Sequence, residues 1–262
     1  MIAQIAYAAR GGARPRYHAN DQSRDVLTIE LQAMPLTNAR TADATLDTQG
    51  FALVPHNSTV TNWYDPDSVA TIHAPEIIDL IKAQSGADEV YVTSPGLLRF
   101  SEASAQSGAH NNSRPARFAH VDISARTAND FAERGQPEGS THARFAHFNI
   151  WRALSVPPQD VPLAVCDARS VMPHDLITAD AVFDEPGMPE WSFEGLVVAH
   201  NAAHRWHWFP DMHAGEALIF KTYDSDPTRA CCVPHVAFDN QACPPGTPPR
   251  VSLEMRATAY WA

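Results

Sequence analysis

Cysteine is scarce in this chain, and the cysteines present do not form a recognisable metal motif. The 262 residues include four, Cys166, Cys231, Cys232 and Cys243, and no Cys-x₂-Cys pair occurs among them. Adjacent cysteines rarely ligate one metal together, so a structural zinc site is a weak interpretation, and disulfides are weaker still in a reducing compartment. We expect all four to be small buried side chains.

Long apolar stretches are also absent. No run of about eighteen apolar residues occurs, and residues 1–16 lack the apolar core of a secretory signal. We therefore expect a protein of the cytoplasm with no membrane partner.

Basic residues are outnumbered by acidic ones. The chain has 19 Lys and Arg against 30 Asp and Glu, for a formal net charge of -11. Nucleic-acid affinity depends on basic side chains that neutralise phosphates, so a nucleic-acid partner is not expected. A small-molecule substrate fits this composition better, while the oligomeric state is left open.

Among the residues that are present, His120-Val121-Asp122 and the distant His235 are the most informative. Residues i and i+2 of a strand face the same side, so His120 and Asp122 can reach one metal without distorting the backbone. Two imidazoles and one carboxylate hold non-haem Fe(II) on one face and leave the other face open. Because the chain has thirteen histidines, the triplet alone is also compatible with an ordinary histidine. The pattern predicts a site formed by His120, Asp122 and His235.

A second pattern follows His235. A turn rich in Pro and Gly, residues 243–249, leads into a strand that begins at Arg250. We expect this strand to run antiparallel to the His235 strand, with one face close to the metal. The residues on that face are Arg250, Ser252, Glu254 and Arg256.

A cluster of other histidines, within residues 200–213, offers an alternative site. His200 and His204 could lie one turn apart on a helix and bind zinc as in a hydrolase, but no Glu lies between them to act as the base. Pro210 would also break such a helix. His204 is better interpreted as a residue near the pocket, and it remains the alternative to His235 as the distal ligand.

The chain as a whole indicates a single domain, 1–262, in which residues 1–95 pack on a core formed by 96–262. The expected architecture is mainly β with flanking helices, a double-stranded β-helix or jelly roll with a cupin-like core. The polar segment 101–113 is either a surface loop or a lid over the site. The other expected elements are strands at Ile2–Ala8, Asp25–Leu31, Glu89–Thr93, Gly215–Phe220 and Phe145–Arg152, a pair of strands around Gly50, and helices at Pro75–Gln84 and Thr127–Arg134.

The order of the motifs resembles that of the Fe(II)/2-oxoglutarate oxygenases: His-x-Asp, a long gap, a strand with Gly-Glu, a His, a turn and Arg-x-Ser. The resemblance implies that Arg250 and Ser252 bind the distal carboxylate of 2-oxoglutarate, and arginine suits this role because its planar fork meets a carboxylate bidentately. Arg256 would lie near the 1-carboxylate or pair with Glu254. Asn149 would hydrogen-bond the cosubstrate or serve as a strand amide.

A closer resemblance is to the gibberellin-desaturase/AsaB hydroxylase/CmcJ-type family. It covers about Val90 to the C-terminus and implies that Fe(II), 2-oxoglutarate and O₂ are used to hydroxylate or desaturate a small secondary metabolite, with release of succinate and CO₂. It also suggests substrate contacts at Arg152, His204, Trp206 and Tyr223. A cupin-like module that only binds a ligand is the alternative, and 2-oxoglutarate binding separates the two. The matching segments are Phe118–Ser124, Phe148–Arg152, Pro162–Asp167, Asn201–Trp206, Phe209–Met212 and Phe220–Ser225.

Overall fold

Two β-sheets form the body of the molecule in the computed structural model, which describes residues 1–136 and 141–262. The strands within these ranges are β1 (Ile2–Ala8), β2 (Arg16–His18), β3 (Ile29–Asn38), β4 (Phe51–Pro55), β5 (Glu89–Val92), β6 (Leu97–Phe100), β7 (His120–Val121), β8 (Arg144–Ala153), β9 (Leu163–Cys166), β10 (Leu176–Phe183), β11 (Trp191–Val198), β12 (Trp206–Trp208), β13 (Glu216–Asp224), β14 (His235–Ala237) and β15 (Val251–Trp261).

The nine-stranded sheet has the order β1-β3-β12-β9-β14-β7-β11-β10-β2, and the six-stranded sheet has the order β4-β13-β8-β15-β5, with β6 also paired to β15. Both sheets therefore contain strands from residues 1–95 and from residues 96–262. Within the nine-stranded sheet, β7 and β14 are neighbours, and His235 is the direct register partner of His120.

The helices are α1 (Pro66–Ser68), which continues through a π-helical turn at Val69–His73 into α2 (Ala74–Ser85), and α3 (Ala125–Gly135). Helix α2 ends where Gly86 adopts a left-handed conformation with φ of 68° and donates its N–H to the carbonyl of Lys82 at 2.9 Å. Helix α3 begins where the side chain of Ser124 accepts a hydrogen bond from the N–H of Thr127. Both lie within two residues of the helices expected from the sequence.

The two faces of the six-stranded sheet have different roles. On β8, Phe148 and Ile150 pack with Ile77 and Ile81 of α2 in the outer core. Trp151 belongs to a second core that includes Val165 of the opposite sheet and so fills the space between the sheets. Because neighbouring strand residues face opposite sides, odd-numbered β8 residues point toward the nine-stranded sheet.

Two expectations about the strands are wrong. The strand that follows the 243–249 turn does not pair with the His235 strand: β15 joins the six-stranded sheet beside β8, whereas β14 lies in the nine-stranded sheet. The expected pair of strands around Gly50 is a single strand, β4, because residues 45–50 form a turn closed by hydrogen bonds to the carbonyl of Thr45. Gly50 itself has a φ of 89°.

The cysteines also differ from the expectation. Only Cys166 is buried, while Cys231, Cys232 and Cys243 are half-buried, and all four are free. In the described part of the chain, no helix has the length and apolar character needed to cross a membrane.

Candidate metal and cosubstrate site

The three residues expected to bind metal come together at one point on the inner face of the nine-stranded sheet. Nε2 of His120 and Nε2 of His235 each lie 3.3 Å from Oδ1 of Asp122. One ligand atom from each of the three residues lies within 4.8 Å of the others, and all three side chains are buried. The paired strands β7 and β14 hold the imidazoles, whose ring centroids are 4.1 Å apart.

Backbone carbonyls fix the orientation of both imidazoles. Nδ1 of His120 lies 2.9 Å from the carbonyl oxygen of Phe118, and Nδ1 of His235 lies 3.2 Å from that of Val233. Each carbonyl accepts a hydrogen bond from Nδ1–H, which leaves the lone pair of Nε2 directed at the shared point. Burial, followed by the nearby His235, lowers the pKa of His120 and favours its neutral form. This donor set fits a divalent iron ion with open positions.

The carboxylate of Asp122 is positioned from the opposite sheet. Its Oδ2 accepts hydrogen bonds from Asn149 Nδ2 at 2.9 Å and lies 3.0 Å from Arg256 Nη2. Asn149 and Arg256 are register partners on β8 and β15. Burial alone would raise the pKa of Asp122, but Arg256 and the two histidines lower it well below its ordinary value. The carboxylate is therefore ionised, and Oδ1 faces the imidazoles.

Gly195 lies directly against the backbone of Asp122, and its lack of a side chain makes this contact possible. A Cβ at position 195 would lie 2.8 Å from the carbonyl oxygen of Asp122 and 2.7 Å from the hydroxyl of Tyr17. Only glycine allows this close approach of β11 to the residue after β7. Gly195 belongs to none of the sequence motifs described above, although an isolated glycine within a β-rich segment indicates a close backbone approach.

Arg250 is a buried cation that lacks a carboxylate partner among the described residues. Its Nη1 donates a hydrogen bond to Oγ of Ser252, and its Nε has no partner. Burial, followed by the charge of Arg99, lowers the pKa of Arg250 to about 10. His120, His235 and Arg250 all line one small cavity. An anion bound to the metal can therefore extend toward an unpaired guanidinium.

Arg256, unlike Arg250, has carboxylate partners. Its Nη2 contacts both Asp122 at 3.0 Å and Oε1 of Glu254 at 2.8 Å, and these carboxylates raise its pKa although burial opposes the rise. Two carboxylates already neutralise its charge. Of the two arginines, Arg250 is the better anchor for a further carboxylate.

A larger cleft opens on the other side of Asp122. It has a volume of about 660 Å³, and Asp122, Asn149 and Arg256 form part of its lining. Four aromatic side chains that the sequence analysis missed line it as well: Phe131, Phe183, Trp191 and Phe193. The rings of Phe183 and Trp191 stack at 4.4 Å. They come from α3, β10 and β11, and no local pattern in the sequence connects these elements.

Arg152 does not reach the triad. Its guanidinium hydrogen-bonds His56, donates to the carbonyl of Ala214 at 3.3 Å and lies 5.0 Å above the ring of Trp63. This side chain has the opposite parity to Asn149 on β8, so it points to the outer face of the sheet. The structure therefore places Arg152 away from the triad, and a substrate contact at this residue stays a prediction.

His204 and Trp206 belong to a separate buried network around Tyr7. The Tyr7 hydroxyl lies 3.1 Å from Nδ1 of His204 and accepts a hydrogen bond from Nε1 of Trp206 at 2.7 Å. Nε2 of His204 lies 3.1 Å from Oδ2 of Asp175. Both ring nitrogens of His204 are thus occupied, so the alternative ligand and the suggested substrate contacts at these two residues are not supported by the geometry.

Tyr223 is also away from the triad. On β13 its ring stacks against that of Phe145 at a centroid distance of 5.6 Å. Burial raises its pKa, and a side-chain hydrogen bond with Asn129 partly offsets that rise. It is not among the lining residues of the three cavities that adjoin the triad.

Comparison with known proteins agrees with this geometry. A family model described as an oxidoreductase/YMDC permease-like domain matches residues 5–260. The hydroxylase/desaturase CTB9 of Cercospora beticola is 30% identical over 246 residues, which are 82% of this chain and 72% of that protein. The alpha-ketoglutarate-dependent dioxygenase phiK of a fungal species is 26% identical over 245 residues, which are 87% of this chain and 84% of that protein.

A solved structure of the iron and alpha-ketoglutarate-dependent endoperoxidase NvfI superposes with a TM-score of 0.84 at 22% identity, covering 99% of this chain and 97% of that one. This likeness confirms the jelly-roll fold. The resemblance inferred from the motifs is confirmed as well. The chain belongs to the oxidoreductase/YMDC permease-like family and is an Fe(II)/2-oxoglutarate-dependent dioxygenase related to the hydroxylase/desaturases.

Proposed function

We propose that His120, Asp122 and His235 hold the Fe(II) of this dioxygenase and that Arg250, aided by Ser252, binds the distal carboxylate of 2-oxoglutarate. The observation that carries the proposal is the cavity shared by both imidazoles and the unpaired guanidinium of Arg250. A buried charge without a carboxylate partner is costly, and a carboxylate of the cosubstrate beside Arg250 would offset this cost.

When bound, iron supplies the oxidation in which O₂ and 2-oxoglutarate are consumed and succinate and CO₂ are released. The chain supplies the geometry. Carbonyls of Phe118 and Val233 keep both imidazoles in the tautomer that binds metal through Nε2. Arg256 and Asn149 keep Asp122 ionised and directed at the same point. The buried side chains around the triad keep bulk water away from it.

The substrate is proposed to be a small, largely apolar metabolite that is hydroxylated or desaturated. The cleft beside Asp122 supports this proposal because its volume of about 660 Å³ suits one small molecule and aromatic side chains line it. Asn111 and Asn112 of the 101–113 loop also line the cleft, which favours the lid interpretation of that loop. The net charge of -11 disfavours a nucleic-acid substrate.

The proposed setting is the cytoplasm, where thiols are normally kept reduced; the four free cysteines agree with it. We also propose that residues 1–262 act as one domain, since strands from 1–95 and 96–262 share both sheets.

The test is anaerobic binding of Fe(II), followed by addition of 2-oxoglutarate and measurement of the visible absorption of the iron–keto-acid complex. His120→Ala, Asp122→Ala and His235→Ala should each abolish the absorption because too few protein ligands remain. His204→Gln is the control, and it should retain metal because its side chain contacts Tyr7 and Asp175 instead. Retained absorption in the triad variants would contradict the proposed ligand set.

A further inference from the structure

Two adjacent cysteines lie in a cleft away from the metal site. Cys231 and Cys232 occupy the loop between β13 and β14, and they line a cleft of about 590 Å³. Both are half-buried and free, and their thiols hydrogen-bond each other. Two basic side chains, Arg169 and Arg229, line the same cleft. Small solutes can therefore reach this pair, whereas Cys166 is buried.

We propose that Cys231 and Cys232 form a redox-active dithiol that hydroperoxides oxidise to a vicinal disulfide. Two features distinguish the roles of the thiols. The sulfur of Cys231 accepts hydrogen bonds from the Cys232 thiol and from the backbone of Asp224, and the ammonium of Lys221 is nearby. These contacts favour the thiolate of Cys231, and thiolates are the nucleophilic form. The hydrogen bond with Cys231, followed by burial, raises the pKa of Cys232 and favours its protonated thiol.

The reaction balances with hydrogen peroxide as the oxidant. The Cys231 thiolate attacks one peroxide oxygen, the O–O bond breaks, and water leaves after protonation to give a sulfenic acid. The Cys232 sulfur then attacks the sulfur of Cys231, the S–O bond breaks, and a second water is released as Cys232 loses its proton. Two thiols lose two electrons and two protons in total, and the peroxide is reduced to two waters.

The backbone around the pair can accommodate ring closure. Ala230 donates its N–H to the carbonyl of Asp47 at 2.9 Å, and Val233 donates its N–H to the carbonyl of Lys221 at 3.0 Å. Between these anchors, within the chain that the structure describes, the backbone N–H and C=O groups of Cys231 and Cys232 make no hydrogen bond to another backbone group. The two cysteines can therefore rotate without breaking the fold on either side.

The same loop leads directly to a residue of the proposed iron site. The carbonyl that accepts the hydrogen bond from His235 Nδ1 belongs to Val233, the residue after the pair. Ring closure across the Cys231–Cys232 peptide changes the backbone directly before Val233, and this change can turn the Val233 carbonyl while the Val233 N–H stays bonded to Lys221. We infer that oxidation weakens metal binding through His235, an inference that rests on the proposed function, whereas the thiol chemistry does not.

The thiol chemistry is tested by treating the reduced protein with hydrogen peroxide, alkylating it and measuring peptide masses. Chymotryptic cleavage after Phe238 separates Cys231 and Cys232 from Cys243. We expect the peptide with both cysteines to lose two hydrogens and to resist alkylation until it is reduced. Cys232→Ser should stop at a sulfenic acid on position 231, and Cys231→Ser should slow the reaction at least tenfold. Cys243→Ser is the control and should react like the parent protein.

Two results would overturn the dithiol proposal: both thiols remaining open to alkylation after peroxide, or Cys243 reacting as fast as Cys231. The coupling is tested by Co(II) binding to the reduced and oxidised protein, with an expected loss of about tenfold in affinity after oxidation. Equal affinity in the two forms would disprove the coupling. Failure of the reduced protein to bind Co(II) would instead count against the proposed iron site and leave the peptide result standing.

Discussion

Arg256 on the six-stranded sheet places Nη2 at 3.0 Å from Oδ2 of Asp122, which follows β7 of the nine-stranded sheet. This contact joins the two sheets at the proposed iron site. Asn149 adds a second link from the same side, with Nδ2 at 2.9 Å from the same oxygen. The free oxygen of the carboxylate is thereby directed at His120 and His235.

Replacement of Arg256 should weaken metal binding without removing a ligand. In Arg256→Gln, the charge that keeps Asp122 ionised and directed at the imidazoles is lost, so affinity for Co(II) should fall by about 10- to 100-fold. Isothermal titration against the parent protein measures the effect. Arg14→Gln, which removes exposed ion pairs with Asp180 and Glu194, is the control and should leave the affinity unchanged. Unchanged affinity in Arg256→Gln would show that Asp122 is oriented without it.

Arg250 should contribute to 2-oxoglutarate binding and should not contribute to folding stability. Arg250→Met should raise the apparent 2-oxoglutarate constant at least tenfold because a charge-assisted contact is lost. Its melting temperature should stay level or rise, since an apolar residue replaces a buried charge that has no carboxylate partner. Arg250→Lys should restore binding only in part.

The matched control for Arg250 is Arg152→Met, which removes another buried arginine, one that points to the outer face of β8. Its 2-oxoglutarate constant should match that of the parent protein. If Arg152→Met and Arg250→Met raise the constant equally, the effect is one of folding and the role assigned to Arg250 is wrong.

Even one added methyl group at position 195 should lower stability and disturb Asp122. In Gly195→Ala, the new methyl group meets the carbonyl of Asp122 and the Tyr17 hydroxyl at less than 3 Å, so β11 or Asp122 must shift. We expect a loss of about 1–3 kcal/mol in stability, measured by denaturant unfolding, and weaker Co(II) binding. Ser192→Ala, at an exposed position on the same strand, should change neither. Normal metal affinity in Gly195→Ala would mean that Asp122 tolerates the shift.

Acid should destabilise the fold at a pH where most carboxylates are still ionised. Burial lowers the pKa of His147 to about 4, and burial together with Arg152 lowers that of His73 to about 4. The folded state keeps both neutral, whereas the unfolded chain takes up protons as the pH falls through about 6.5. Their stabilisation is therefore complete above that pH and is lost toward pH 4. Between pH 6.5 and 5 we expect each histidine to account for a loss of about 2 kcal/mol.

The check is the slope of unfolding free energy against pH in that range. His147→Asn should reduce the slope by about one proton, because Ala128 and Thr258 hold the neutral imidazole at 2.9 and 2.8 Å. His174→Gln, at an exposed side chain, should leave the slope as it is. An unchanged slope in His147→Asn would mean that His147 is protonated normally in the folded state.

The proposed metal ligands could be predicted from the sequence because their signal is local. The two-residue spacing of His120 and Asp122 depends only on strand geometry, and the order of the later motifs located His235 and Arg250. The strand that pairs with β15 could not be predicted from such a local pattern. Whether a strand continues its own sheet or crosses to the other depends on contacts between distant segments, and a turn of the 243–249 type permits both.

The prediction for Arg152 could have been tested against the sequence alone, whereas those for His204 and Trp206 could not. Asn149 and Arg152 lie three residues apart on one strand, so they cannot share a face, and this parity separates the site residue from the structural one. Trp206 and His204 carried no such warning, since their partner Tyr7 lies almost two hundred residues away. The aromatic lining of the large cleft was missed for the same reason, because Phe131, Phe183 and Trp191 meet only through tertiary packing.

The direct pairing of His120 with His235 also determines when the site can assemble. These two strands are more than a hundred residues apart in the chain, and Arg256 comes later still. Contacts of such long range form late because loop closure must come first. In small zinc modules the metal gathers nearby ligands and drives folding. Here we expect the reverse order: the polypeptide should fold without metal, because the proposed ligands meet only after the two strands have paired, and iron should then bind in a site that the sheets have already formed.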